Sequence, residues 1–544
     1  MVPVSPRGRA GAPAGAAPQE APRCVRGPWR GRLLAAAPLS LSVLVHLALA
    51  GASARAGRGA LTPDGVCYLL QARAWAEGRW GDALSPYWSP LLSLGMAPLL
   101  AAGIAPLTAA KAVCALCGAL ALASLDGLLR ACGVASAGLR LAALLAATVP
   151  VTALLAARAV APDLLMGALL LAYLKALLSP RLLASRWQPF VAGGLAGLAF
   201  LAKAYALPFA VVHLPVAVWL RARAAQSDGR AWRRVAFRAL AGLALAAGPW
   251  LLAVGLARGC GSFLTLARAN HAYVGPPDRP RGYPLAQLYD LAPRRVSVWE
   301  TPEVMRFEDW SPLASRQHLA HQARVVSRNA ALAASLLAPP GPWAVLGWAA
   351  LLLSVGDAWR RGERTRTPVL VAGLAVYVAG LLPAYAEPRY LLPVLVPLSL
   401  CLLAASIQGL RSGPVRAAAA LLLATAWAAP FAAPWARQLT RVPQPAWQEV
   451  SGALDQARAG ARLAASADQW ANGLRAAWAA GLTFPGSPRG ATPQAVAAEL
   501  AEHRVEFFLA GPAAVLPSGP GWRLMGEFLV EDGRARLLRR EGAP

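Results

Sequence analysis

The feature that most constrains this chain is a succession of long apolar segments separated by short arginine-rich ones. The apolar segments fall at 33–50, 90–107, 109–129, 140–158, 162–179, 188–220, 237–257, 340–356, 368–386, 390–408 and 416–434. About 20 apolar residues cross the hydrocarbon core of a bilayer, where a helix satisfies its own backbone hydrogen bonds. These segments therefore predict membrane-crossing helices. With 57% hydrophobic and 15% charged residues, the chain does not read as a soluble globular domain. The net charge is +27, from 53 Lys and Arg against 26 Asp and Glu. In a soluble chain that excess would suggest nucleic acid. Here the arginines sit between apolar spans: six from Arg221 to Arg238, four from Arg360 to Arg366, then Arg411 and Arg416. The positive-inside rule reads these clusters as cytoplasmic loops, and nucleic acid is not an expected partner.

Residues 1–32 hold six Arg and one Glu among many Pro and Gly, which reads as a disordered basic cytoplasmic tail. The span at 33–50 reads as an uncleaved anchor. The seven cysteines form neither a disulfide framework nor a metal cluster, and Cys114 and Cys117 read as helix packing. Two threadings satisfy the arginine clusters. In one, 90–107 lies along the outer surface and 188–220 is a hairpin broken near Lys203. In the other, 90–107 spans and 188–220 is one long helix. The first is preferred because it places Arg130, Arg140, Arg181 and Arg186 inside and only Arg158 outside. Pro90, Pro98 and Pro106 would also punctuate a spanning helix.

The expected fold is an all-α polytopic membrane protein of about eleven transmembrane helices over 33–435, with outer loops at 52–108 and 258–335. Residues 436–544 are less apolar. They read as helices at 445–460 and 492–504, strands at "ARLAAS" and "VEFFLA", and a hairpin, "EFLVEDGRARLLRR", turning at Asp532-Gly533. This predicts a small extracytoplasmic α/β domain. The N-terminus is expected in the cytoplasm and the multi-pass chain in the inner (plasma) membrane.

Four features then face the same outer side. Thr62-Pro63-Asp64 has helix-start grammar: a Thr cap, Pro in the first turn, and an acid where the helix dipole favours it. Capping alone accounts for Asp64. Ala161-Pro162-Asp163 repeats the step, with Arg158 close enough to pair with it. Lys203 stands in the apolar "GLAFLAKAYAL", where it either snorkels to the interface or is held for an anionic partner such as a lipid phosphate. "YAEPRYLLPVLVPL" brings Glu387 and Arg389 to the end of a span, and Arg is a natural bidentate clamp for phosphate. Two acids and two cations in one outward pocket suit transfer from an anionic lipid donor. One carboxylate takes the proton of an acceptor hydroxyl, and the cations stabilise the departing phosphate. His318 and His321 share i,i+3 spacing without a third ligand and read as a solvated loop. The metal at the site is unknown from the sequence, which neither requires nor excludes a divalent cation. Nucleotide-binding and hydrolase motifs are absent from the sequence.

"DGVCYLLQARAWAEG" followed by "SPYWSPLLSLGMAPLL" resembles the opening of the lipid-linked-sugar glycosyltransferases of the GT-C superfamily. More narrowly, it is similar to the polyprenyl-phosphate-mannose protein mannosyltransferase-like group, which includes aminoarabinose transferases and Rgt-type lipopolysaccharide-core transferases. In that family an acid after the first span, in a pattern Asp-Glu…Tyr…Ala…Gly, is the proposed base. Asp64, Tyr68, Ala72 and Gly78 match it, while Gly65 replaces the family's Glu, whose role Glu77 would have to take. "ARAVAPDLL" resembles the family's Pro-Asp step at Asp163, "GLAGLAFLAKAYAL" its lysine stretch at Lys203, and "EPRYLLPVLVPL" its Arg-Tyr-Leu-Leu-Pro segment at Arg389 and Tyr390. The resemblance covers about residues 33–400.

It implies a membrane glycosyltransferase that moves a sugar from a polyprenyl-phosphate donor to a glycan, lipid or protein acceptor of the cell envelope. Asp64 would be the base, and Asp163 would orient the acceptor or a metal. Lys203, Arg389 and Tyr390 would hold the donor phosphate, with Tyr68, Glu77 and Arg158 as further pocket candidates. The rival readings are a lipid or solute transporter, because charges near the membrane also mark transport paths, and a non-catalytic membrane protein of envelope assembly.

Overall fold

The computed structural model describes residues 28–56, 60–227, 229–279, 281–440, 445–519 and 521–541. Residues 1–27 of the expected tail lie outside the described residues. From Pro28 onward that segment already belongs to the first helix.

Helices account for most of the fold. In chain order they are α1 (Pro28–Ala56), α2 (Pro63–Ala76), α3 (Leu91–Ala101), α4 (Pro106–Ala131), α5 (Ala137–Arg158), α6 (Asp163–Leu177), α7 (Gln188–Ala202), α8 (Ala206–Ala224), α9 (Gly229–Arg258) and α10 (Thr265–Val274). After a loop follow α11 (Arg316–Leu337), α12 (Ala344–Arg360), α13 (Arg366–Leu381), α14 (Pro388–Gln408) and α15 (Gly413–Thr440). Among the described residues, eight helices are long and apolar enough to cross a membrane: α1, α4, α5, α8, α9, α12, α14 and α15. Three further expected spans, α6, α7 and α13, have 15, 15 and 16 residues. At the helical rise that is only about 23 Å, short of the bilayer's hydrocarbon thickness of about 30 Å.

Side-chain contacts fix the order of ends. Lys203, after α7, reaches Asp163 at the start of α6. Midway, Tyr173 of α6 bonds His213 of α8 at 2.9 Å. At the far end, Arg221 of α8 donates to the Ser179 carbonyl beyond α6 at 2.9 Å. Helices α7 and α8 are therefore the antiparallel arms of a hairpin broken at Lys203. Segment 90–107 is the other point on which the two threadings differ. Its helix α3 has 11 residues, about 16 Å, well short of the hydrocarbon thickness of about 30 Å. Gln71 of α2 ties α3 down: its Nε2 donates to the Ala83 and Trp88 carbonyls, and its Oε1 accepts from Ser93 at 2.6 Å.

Helices α7 and α9 run in parallel at close range. A Cβ at Gly193 would stand 1.7 Å from the Ala239 carbonyl oxygen. Small residues at such contacts let helix backbones approach inside a membrane, where no hydrophobic effect drives association. The far end carries an ion cluster that sequence reading missed. Asp126 of α4 accepts from Arg140 of α5 at 3.0 Å and from Arg130 at 2.8 Å. Asp126 and Arg140 are both buried. Asp126→Ala strands the Arg140 charge, so we expect a loss of about 3–5 kcal/mol. A thermal-unfolding midpoint unchanged from wild type would contradict this.

Beyond α15, helices α16 (Ala446–Ala453), α17 (Trp470–Ala479) and α18 (Pro493–Glu502) pack around a four-stranded sheet. Its strands are β1 (Leu463–Ala465), β2 (Phe507–Ala510), β3 (Trp522–Val530) and β4 (Gly533–Arg540), in the order β1-β2-β4-β3. β1 and β2 are parallel, and β3 and β4 form the expected hairpin with its turn before Gly533. Helix α17 was not foreseen. The segment before α11 also bonds this unit directly: Phe484 N–H donates to the Val296 carbonyl at 2.6 Å, and Tyr289 N–H to that of Pro485 at 2.9 Å.

Candidate active site

The two Pro-Asp steps meet because of how α2 begins. Thr62 caps α2, its Oγ1 accepting from Gly65 N–H at 3.1 Å. The same hydroxyl donates to the Val160 carbonyl at 3.1 Å, pinning the start of α2 to the segment just before α6. Gly65 makes this approach possible. A Cβ there would come within 2.8 Å of both Leu61 Cδ1 and Val160 Cβ. The Glu of the resembling family therefore has no room here. Gly65→Ala is expected to cost about 1–3 kcal/mol through overpacking and to lower activity by displacing Asp64. Wild-type thermal stability in that variant would contradict the contact.

Asp64 is held by two partners from distant parts of the chain. Arg389 Nη2 donates to Oδ2 at 2.6 Å, and Trp299 Nε1 donates to Oδ1 at 3.2 Å. Arg389 Nε also donates to Glu387 at 2.6 Å, and Nη2 to the Tyr390 hydroxyl at 3.0 Å. Glu387 accepts from the Tyr385 hydroxyl as well. Asp163 is buried and pairs with Lys203 through Oδ1, while its Oδ2 is buried without a hydrogen-bond partner. Lys203 Nζ lies 3.5 Å from the centre of the Tyr390 ring, and the Arg389 guanidinium carbon lies 4.9 Å from the same centre. Tyr390 is thus flanked by both cations. Burial pushes the Asp64 carboxyl up, but Arg389 and then Lys203 outweigh it, and the group titrates below its ordinary value.

Two cavities share Asp64. The larger, about 750 Å³, is lined by Asp64, Tyr68, Asp163 and Lys203 and by apolar residues such as Phe209 and Leu381. The smaller, about 140 Å³, is aromatic and polar, lined by Asp64, Tyr273, Trp299, Tyr385, Arg389 and Trp470 among others. Trp470 comes from α17, and its ring centre lies 6.1 Å from that of Trp299 at 86°.

The structure thus gathers Asp64, Asp163, Lys203, Arg389, Tyr390 and Tyr68. It does not bring in Glu77. That residue closes the far end of α2, about 20 Å along the helix from Asp64, where it is paired with Arg73 and Arg79. Arg158 is exposed and lines neither cavity, and the partner of Asp163 is Lys203. His318 and His321 lie on α11, bonded to Ser315 and to the Gly275 carbonyl. No group of three or more His, Cys, Asp or Glu among the described residues is placed to hold a metal ion. Trp299, Glu387 as a partner of Arg389, and Trp470 were not foreseen as members of one site. No local signal distinguishes them from the other aromatic and acidic residues of their loops.

This chain shares its fold with solved membrane glycosyltransferases. Among solved structures it is similar to the oligosaccharyltransferase of Archaeoglobus fulgidus in the apo form, with a TM-score of 0.57 and 13% identity over 88% of this chain and 70% of that one. It is also similar to ArnT from Cupriavidus metallidurans bound to undecaprenyl phosphate, with a TM-score of 0.55 and 14% identity over 92% of this chain and 98% of that one. No protein-family model matches the sequence. No curated protein sequence matches it either.

Proposed function

We propose that this protein is a membrane glycosyltransferase that moves a sugar from a polyprenyl-phosphate donor to an acceptor hydroxyl. The observation that carries this reading is the position of Asp64 in the walls of both cavities. The polyprenyl chain occupies the larger cavity, whose apolar walls suit it and whose lining includes Lys203. The likeness in fold to an ArnT bound to undecaprenyl phosphate supports this donor. The acceptor enters the smaller cavity. Its hydroxyl oxygen attacks the anomeric carbon as the bond from that carbon to the phosphate oxygen breaks. Asp64 takes the hydroxyl proton as the new bond forms, and polyprenyl phosphate leaves with the electron pair. A carboxylate of lowered basicity can do this because the hydroxyl becomes acidic only as it is glycosylated. Lys203 and Arg389 stabilise the phosphate, and Asp163 orients Lys203.

The reaction belongs on the outer face of the inner (plasma) membrane, with the N-terminus in the cytoplasm and residues 436–544 outside. The arginine clusters support this sidedness. A reporter fused after residue 135 should score as cytoplasmic, and an outside score would invert the assignment. Deleting the gene should remove one envelope glycan and accumulate its lipid-linked sugar. Unchanged glycans and lipid-linked sugars would defeat the proposal. Trp470→Ala should raise the KM for the acceptor about two- to tenfold with little change in kcat, since an aromatic wall contributes about 0.5–1.5 kcal/mol to such contacts. An altered KM for the donor alone would place Trp470 on the other substrate.

A further inference from the structure

At the end of the bundle remote from Asp64, the last turns of α12 and α14 and the start of α13 enclose another cavity, of about 390 Å³, with mixed polar and apolar walls. Arg361 and Arg366 line it, with Ser354 and Ser406. The same two serines also line an apolar groove of about 260 Å³ between α12, α14 and α15, whose walls include Leu346, Leu403 and Leu422. The chamber and the apolar groove therefore lie side by side, with Ser354 and Ser406 in the walls of both. Together they lie outside the catalytic site described above and share no residue with it.

We propose that this site binds one anionic diacyl phospholipid, its phosphate on Arg361 and Arg366 and an acyl chain in the groove. Charge complementarity selects the headgroup. The two loops at this end, residues 357–366 and 409–416, carry six Arg against Asp357 and Glu363. Arginine clusters beside membrane helices would by themselves be ordinary topology signals, but here Arg361 and Arg366 wall a cavity that adjoins an apolar groove. Arg361 pairs with Asp357 at 2.6 Å, and Arg366 Nη1 donates to the Cys132 carbonyl at 3.2 Å. A guanidinium has more N–H donors than these contacts occupy, in a planar fork that suits phosphate. Glu363 does not oppose an anion strongly, because its Oε1 is turned to the backbone N–H groups of Thr365 and Arg366 at 2.8 and 2.9 Å.

The test uses the full chain purified in detergent and exposed to mixed micelles of phosphatidylglycerol and phosphatidylcholine, followed by native mass spectrometry. One phosphatidylglycerol should be retained per chain in clear preference to phosphatidylcholine. The double variant Arg361→Gln, Arg366→Gln should retain it roughly thirty-fold more weakly, two near-surface arginines being removed. Ala350→Phe fills the groove from its exposed membrane face and should lower retention with both arginines intact. It decides the matter if the double variant fails to fold. Equal retention of the two lipids, or undiminished phosphatidylglycerol in the folded variants, overturns the proposal.

Discussion

Asp64→Asn should abolish sugar transfer while leaving the donor bound. Asn keeps the shape of the side chain, and its carbonyl oxygen can still accept from Trp299 or Arg389. What it loses is the charge and the capacity to take a proton. A positioned base contributes about 10²- to 10⁴-fold, so kcat/KM should fall by that factor, with the loss in kcat. The measurement is transfer of labelled sugar from a synthetic polyprenyl-phosphate donor by membranes carrying each variant. Retention of the donor on the purified protein controls for folding. Full activity in this variant, with loss in Asp163→Asn, would move the base to Asp163, whose Oδ2 is the unpartnered carboxylate oxygen of the site.

Removing Arg389 should have the second-largest effect, and it carries its own signature. The guanidinium bonds Asp64 and Glu387, both at 2.6 Å, so its loss leaves two acids without their shared cation. Loss of one such electrostatic stabiliser typically costs about 10²- to 10³-fold in kcat. The pH profile should move too. In the wild type, Arg389 and Lys203 hold the Asp64 carboxyl below its ordinary value, against burial. It therefore stays ionised to a lower pH than an ordinary carboxyl, and its acid limb lies below the usual carboxylate range. In Arg389→Ala the largest remaining influence is burial, which raises the carboxyl, so the acid limb of the residual activity must shift to higher pH. Arg389→Lys should restore part of the limb but not the full rate, because a single ammonium does not reproduce the two-carboxylate fork. An Arg389→Ala enzyme with a wild-type profile would mean that Asp64 is not the titrating base.

The parts of the site that were legible in the sequence are those written in local grammar. Thr62-Pro63-Asp64 announces a helix start, and Thr62 does cap α2. The Lys203 break in an apolar run announces a hairpin. The C-terminal hairpin follows from alternation and turn chemistry, with its turn at Glu531-Asp532, one residue before the expected Asp532-Gly533. The missed members belong to another category. Trp299 is 235 positions from Asp64. Nothing in the periodicity near Trp299 or Trp470 sets them apart from tryptophans at a membrane interface, and Asp126 resembles any helix-end acid until Arg140 is seen beside it. Glu77 failed for the converse reason. It is close to Asp64 in sequence, but a continuous helix carries it away.

The sequence by itself determined that the chain is a membrane protein of many apolar helices, that helices start at Thr62-Pro63-Asp64 and at Pro162-Asp163, and that Asp64, Asp163, Lys203 and Arg389 are candidates for one site. Those properties follow from hydrophobic length, capping and charge distribution, all of which act over a few turns. Only the tertiary structure decided that Asp64 is paired with Arg389 and Asp163 with Lys203, and that Trp470 of the C-terminal domain lines the smaller cavity. It also explains Gly65, which looks in the sequence like a lost Glu. Its missing Cβ lets the first turn of α2 lie against Val160. Close packing between segments far apart in the chain is a property of shape, and shape is what a one-dimensional pattern does not carry.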